Sequence, residues 1–168
     1  MKKIIIPFIF TLFITVTNAQ SFGIRAGADF ATLRAKLQGY SLSTNETGFY
    51  VGAFKTFNLS ESIKIRPEVN YIIIKDLDQL QIPILVVIGL TNKFDILAGV
   101  SANFLSDDDD NSKPFDFALE FGLAYQIIEH LSVETRYSLG LLNLDESNYG
   151  FNSTIKLSGF FVGLGYHF

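Results

Sequence analysis

The sequence predicts an all-β protein, a closed, eight-stranded antiparallel up-and-down barrel that spans a membrane. Seven stretches of ten to sixteen residues put an apolar residue at nearly every second position, which is the period of a strand whose two faces meet different surroundings. The apolar faces are long and rich in aromatics, while the opposite faces carry charges of both signs. The last segment, Gly159 to Phe168, keeps the alternation and ends on an aromatic. After Val16 no uninterrupted apolar run approaches the ~18 to 20 residues that a membrane helix needs, so the 48% apolar content is spread by alternation.

Residues 1–19 differ in kind. Lys2 and Lys3 form a positive start, Ile4 to Val16 a mostly apolar core, and Thr17-Asn18-Ala19 a small-residue cleavage site, the pattern of an export signal. The expected division is therefore 1–19 signal peptide and 20–168 barrel domain, with localisation in the cell outer membrane. The absence of Cys rules out a disulfide framework. Without Lys2 and Lys3 the 13 basic residues fall to 11 against 17 acidic, a net charge of −6. Such a balance argues against a nucleic-acid partner, which needs a basic patch.

The first strand, Phe22 to Leu33, sets Phe22, Ile24, Ala26, Ala28 and Phe30 against Arg25 and Asp29. In the second, Gly48 to Asn58, Phe49, Val51, Ala53 and Phe57 share a face with Lys55, and Tyr50 and Phe54 lie opposite. Ile63 to Ile74 turns Ile63, Ile65, Val69, Tyr71 and Ile73 outward and Lys64, Arg66, Glu68 and Asn70 inward. Gln79 to Leu90 has an outer face of Leu80, Ile82, Ile84, Val86, Ile88 and Leu90, and an inner face that turns apolar after Gln81. Phe94 to Leu105 sets Phe94, Ile96, Ala98, Val100, Ala102 and Phe104 against Asp95, Ser101 and Asn103. In Phe115 to Ile128 every outer position from Phe115 to Ile127 is apolar, against Asp116, Glu120 and Gln126. Leu131 to Leu141 opposes Leu131, Val133, Tyr137 and Leu139 to Glu134 and Arg136. Thr154 to Phe168 opposes Phe160, Val162, Leu164, Tyr166 and Phe168 to Phe161, Gly163, Gly165 and His167, with Lys156 on the outer parity and so at the outer rim beyond the hydrocarbon.

Outer-membrane barrels join their strands by short periplasmic turns and longer external loops. Leu59 to Ser62, Thr91 to Lys93 and Glu129 to His130 are short, whereas Arg34 to Thr47, Ser106 to Pro114 and Leu142 to Ser153 are longer and polar. Lys75 to Asp78 is the exception, a short external loop. Pro67 and Pro83 each delete a ladder donor, which predicts local irregularities, usually bulges.

A soluble lipocalin-like binding barrel in the periplasm would alternate too, with its apolar faces inward. Eight strands enclose a space just wide enough to fill, too small for all these Phe, Ile and Leu side chains. Facing outward, they meet acyl chains, and Arg25, Asp29, Lys64, Arg66, Glu68, Asp95, Glu120, Glu134 and Arg136 form a lumen network of ion pairs. The network is read as structural, because an unpaired buried charge is costly. Aromatic girdles are expected at Phe22, Phe57, Phe94, Tyr125, Tyr166 and Phe168 on the periplasmic side, and at Tyr71, Phe104, Phe115 and Tyr137 on the outer side.

Four motifs carry a family resemblance: Phe22-Gly23-Ile24-Arg25-Ala26-Gly27-Ala28-Asp29-Phe30, Gly48-Phe49-Tyr50-Val51-Gly52-Ala53-Phe54, Arg66-Pro67-Glu68-Val69-Asn70-Tyr71 and Leu80-Gln81-Ile82-Pro83. In order and spacing the chain resembles the PorT-like outer-membrane β-barrel family. The resemblance implies an eight-stranded outer-membrane barrel, some of whose relatives take part in protein secretion or gliding. The last strand also resembles the C-terminal signal read by the barrel-assembly machinery, through Phe160, Val162, Leu164, Tyr166 and Phe168.

An enzyme is not expected. His130 and His167 are the two histidines, both on the periplasmic side, and no Ser or acid is placed by sequence to complete a triad. No cofactor is implied. Asp107, Asp108, Asp109 and Asp110 could attract calcium, but they lack the alternate spacing and turn glycine of an EF-hand and read as a solvated external loop. The expected function is a non-enzymatic integral outer-membrane barrel with a filled polar lumen, presenting its loops. Its partners are the bilayer and, during insertion, the assembly machinery, and the alternative is a subunit of an envelope secretion machine.

Overall fold

The computed structural model describes residues 20–37, 40–75, 77–106, 115–144 and 153–168. Eight strands follow in order: β1 (Gln20–Leu37), β2 (Tyr40–Asn58), β3 (Ile63–Ile74), β4 (Leu77–Gly89), β5 (Phe94–Ser106), β6 (Phe115–Ile128), β7 (Leu131–Gly140) and β8 (Ser153–His167). Each pairs antiparallel with its sequence neighbours, and β8 closes the ring on β1. Paired residues traced once around the ring, from Gln20 through Phe57, Ile65, Val86, Ala98, Phe121, Tyr137 and Phe160, return to β1 at Phe30, ten residues further along. Eight strands with that stagger tilt by roughly 40° and enclose an interior that side chains fill.

The alternation is resolved in the expected sense. Ile84, Phe117 and Phe121 are 54, 48 and 52% exposed on the outside, while Arg66 and Glu120 are 3 and 1% exposed within. On β2, Phe49 and Val51 face out and Tyr50 and Phe54 are buried in the lumen. Rings gather near the ends of the apolar belt: Phe22 stacks on Phe168 with centroids 5.7 Å apart, and Phe104 lies 5.1 Å from Phe115.

Three tight turns share one end of the barrel, each stitched by a polar side chain. Ser60 Oγ accepts from the Ile63 amide, Thr91 Oγ1 accepts from Lys93 and Phe94, and the Gln126 amide group donates to the carbonyls of Ile128 and Glu129. A register shift between Gln126 and Ile128 accompanies the last of these.

At the far end the expected Arg34 to Thr47 loop is corrected. Pairing runs without a break from Asp29↔Gly48 to Leu37↔Tyr40, and β8 follows β1 as far as Ser153. The physical reason is that alternation reports two different environments. Above the bilayer both faces of a strand meet water, so the pattern vanishes while backbone pairing continues. Smaller corrections of the same kind start β4 at Leu77, which removes most of the short external loop, and end β7 at Gly140. The acidic run 107–110 lies outside the described residues, as does residues 1–19.

The prolines interrupt pairing without shifting it. β3 pairs with β2 up to Phe54↔Glu68 and resumes at Phe57↔Ile65, with Pro67 in the gap. With β4 it lapses between Pro67↔Ile84 and Asn70↔Gln81, the stretch that faces Pro83. The register is the same on both sides of each gap, so the irregularity is a missing donor rather than a bulge.

Tyr50 lies across the β1–β8 seam because two facing glycines, Gly27 and Gly163, leave it room. A Cβ on Gly163 would collide with the Tyr50 hydroxyl and the Ala26 carbonyl. Gly163→Leu is therefore expected to destabilise the barrel by roughly 1–3 kcal/mol, the usual range for overpacking, read as a lower urea midpoint for loss of the folded gel band; an unchanged midpoint would refute this account of the seam.

Candidate functional site

The lumen holds three arginines and three glutamates in one buried cluster. Inward parity puts them there: Arg25 on β1, Arg66 and Glu68 on β3, Glu120 on β6, and Glu134 and Arg136 on β7. Arg66 forms a fork on Glu134, Nη1 to Oε1 at 2.8 Å and Nη2 to Oε2 at 2.9 Å. Because β3 and β7 stand on opposite walls of an eight-membered ring, that fork crosses the whole barrel. Such bidentate pairs are the strongest and most directional of the charge-assisted hydrogen bonds.

Glu68 is the hub. Its Oε2 accepts from Arg25 Nη1 and Arg136 Nη2, both at 2.8 Å, and from Asn70 Nδ2 at 3.2 Å. Its Oε1 lies 2.8 Å from Arg66 Nε, an ion-pair contact without hydrogen-bond alignment. Asn70 also donates to Gln81, and Gln81 passes the chain on to Glu120 Oε1 at 2.9 Å. Two aromatics flank the cations: Arg25 sits 4.7 Å over the Tyr50 ring and donates to its hydroxyl at 2.8 Å, and Arg66 sits 4.9 Å over Phe54. Cation–π contacts of this kind gain strength when water is excluded.

Of the nine residues expected in the lumen network, these six come together. Asp29 is buried but lies apart, beside a small void of about 10 Å³ that it shares with Gln79, Asn103, Asp116 and Ser138. That volume suits one water. Lys64 and Asp95 stand instead at the tight-turn end, lining an open vestibule of about 460 Å³ that reaches Arg66. Tilt is the reason: residues of one parity on different strands sit at different heights, so parity assigns a face but not a level.

Sequence reasoning missed three features. Tyr50, Asn70 and Gln81 belong to the network; strand parity sets Asn70 and Gln81 on the inner face, but only the bonds across strands bring the three into the charge cluster. An apolar plug of Ile72, Ile74, Leu105, Leu157 and Phe161 fills the lumen towards the far end. The segment after β7 closes over it, Leu142 N donating to Asp116 Oδ1 and Leu144 N to the Ile155 carbonyl, which buries Leu144 in the plug. The third is a contact between Ser132 Oγ and His167 Nε2 at 3.1 Å. Ser132 is 2% exposed and lies 3.4 Å from the Gly165 carbonyl, so the pair ties β7 to β8 at the edge of the vestibule that His167 lines.

No protein-family model and no curated protein matches the chain. Solved structures do. It is similar to Neisserial surface protein A, with a TM-score of 0.56 and 14% identity over 90% of this chain and 100% of that one. It is similar to Ail, the attachment invasion locus protein of Yersinia pestis, at 0.53 and 16% over 90% and 100%. The outer membrane enzyme PagL gives 0.55 and 10% over 82% and 98%. At these identities the likeness is one of fold: this chain has the eight-stranded architecture of transmembrane β-barrels, with a buried salt-bridge network inside.

Removing one partner of the cross-barrel fork leaves the other charged and buried, which costs about 3–5 kcal/mol. Arg66→Met is expected to destabilise the barrel by that amount, and the double change Arg66→Met with Glu134→Met to recover part of it. A urea-unfolding double-mutant cycle in lipid vesicles checks both, and strictly additive losses would refute the pairing.

Proposed function

We propose that this chain is a non-enzymatic integral outer-membrane barrel whose sealed lumen makes it a rigid carrier for the structures at its outer end. The observation that supports this reading most is the inversion of surfaces, with an apolar belt outside and a neutral cluster of three arginines and three glutamates within. Closure satisfies every strand edge where hydrocarbon offers no hydrogen-bond partner. The cluster and the plug above it block an aqueous path, in keeping with the filled interiors of eight-stranded barrels.

On this reading residues 1–19 are an export signal, the tight turns face the periplasm, and the paired extension of β1, β2 and β8 projects from the cell. Phe160, Leu164 and Tyr166 on β8, and Phe168 just past its end, are exposed on the outside, as a lipid-facing assembly signal requires. Membership of the PorT-like family is part of the proposal, supported by the order and spacing of its four motifs. PagL is an enzyme on the same architecture, so the fold leaves chemistry open. The support for a non-enzymatic role is local: Ser132 is buried, Glu68, Glu120 and Glu134 lie against arginines, and Asp29 and Asp116 are enclosed.

An integral barrel should migrate faster on a denaturing gel before boiling than after it. A single boiled-position band from native membranes, or release of the chain by carbonate without detergent, would refute the membrane reading and favour a soluble carrier. Phe121→Lys, near the middle of the belt on β6, is expected to cost roughly 2–4 kcal/mol in vesicles. An indifferent effect would place that face in water.

A further inference from the structure

Just beyond the apolar belt, at the far end, the exterior carries a groove of about 250 Å³ between β7, β8 and β1, lined by Arg34, Lys36, Lys156 and Thr154 above and by Tyr137 and Leu139 below. Arg34 stands directly opposite Lys156 across the β1–β8 pair, and Lys36 opposite Thr154. Like charges facing each other across strands repel. None of the ion pairs among the described residues engages Arg34, Lys36 or Lys156. The sheet thus holds Arg34, Lys36 and Lys156 together as one cationic group, in which Lys156 also feels the Asp116 carboxylate at longer range.

Their height points to the kind of anion that suits them. On β1 the outward residues run from Phe22 to Phe30 and on to Arg34. At about 3.3 Å per residue and a tilt of roughly 40°, Phe30 stands about 20 Å and Arg34 about 30 Å above the lower aromatic ring. An outer-membrane barrel has an apolar band about 25 Å tall, so the cations meet the layer where lipid phosphates begin. Below the cations the wall passes through Thr32 and Ser158 to Tyr137 and Leu139, whose apolar surface suits an acyl chain, for which a soluble anion has no use.

We propose that this groove holds the phosphate of an outer-leaflet lipid among Arg34, Lys36 and Lys156, with an acyl chain of the same lipid lying down Tyr137 and Leu139. The inference rests on the outer-membrane reading above. It assigns the barrel a fixed lipid neighbour at the β8–β1 seam.

The test is native mass spectrometry of the full protein purified from membranes, titrated with diphosphorylated lipid A, with the same lipid stripped of its phosphates, and with sodium pyrophosphate. The wild type should bind the phosphorylated lipid roughly tenfold or more tightly than the stripped one, given the usual contribution of each basic residue at a membrane surface. Arg34→Ser combined with Lys156→Ser should bring that preference to within about twofold, and Lys93→Ser, at the opposite end, should leave it unchanged. In the wild type, 0.5 M salt should weaken the preference by screening, which keeps the test decisive if the double variant does not fold. Equal binding of both lipids by the wild type, or a preference that survives the double change, would overturn the site. Displacement of the lipid by millimolar pyrophosphate would overturn it in favour of a soluble anion. A chain with no heat-modifiable, inserted form would sink the outer-membrane reading along with the site, whereas an inserted barrel without phosphate preference would sink the lipid site alone.

Discussion

The cross-barrel pairing of Arg66 with Glu134, with Glu68 beside it as a shared acceptor, is the interaction on which the rest of the molecule depends. A chain that turns its oily residues outward must put something else in its middle, and a ring this narrow has room for few side chains. Charged groups can occupy that space only if each finds a partner, because a lone buried charge costs more than most single contacts return. The three arginines and three glutamates meet this condition as a set, drawn from β1, β3, β6 and β7. Taking charges from separated strands makes the cluster a check on assembly: it is complete only when the ring has closed in the right register.

The lumen is layered along its axis. An open vestibule at the tight-turn end stops at Arg66; above lie the ionic cluster, a thin polar level around Asp29 and Asp116, and then the apolar plug capped by Leu144. The two sealing layers work by different physics. The ionic one is directional and fixes which strands face each other, while the apolar one is tolerant of shape and excludes water by volume. Both use the space that glycines at positions such as 27 and 163 leave on the inner wall.

How much of this was legible in the sequence follows from what alternation can report. Strand identity and facing were readable wherever lipid met one face and lumen the other, as in β3 and β6, whose boundaries match the structure. Where both faces leave the bilayer, at residues 34–47, the signal ended although the strands did not. Within the lumen, parity found Arg25, Arg66, Glu68, Glu120, Glu134 and Arg136. It could not find their levels, which depend on the stagger of ten residues that only pairing reveals, and so it grouped Lys64 and Asp95 with charges they do not reach. The prolines were legible as missing donors but not as register-neutral gaps.

The seam between β1 and β8 joins the two strands farthest apart in sequence, pairing Gly23 with His167 through Leu37 with Ser153, and the Phe168 amide donates to the Phe22 carbonyl at its end. Every other strand pair can zip as soon as its two members exist, but this one waits for the most distant segments of the polypeptide to meet, the slowest kind of contact to form. Until then two unpaired edges stand open, one at each side of a curled sheet, and either could capture a foreign strand. Closure is therefore the step that removes both edges at once, and a ring stalled short of it carries a strand-capturing edge on each side.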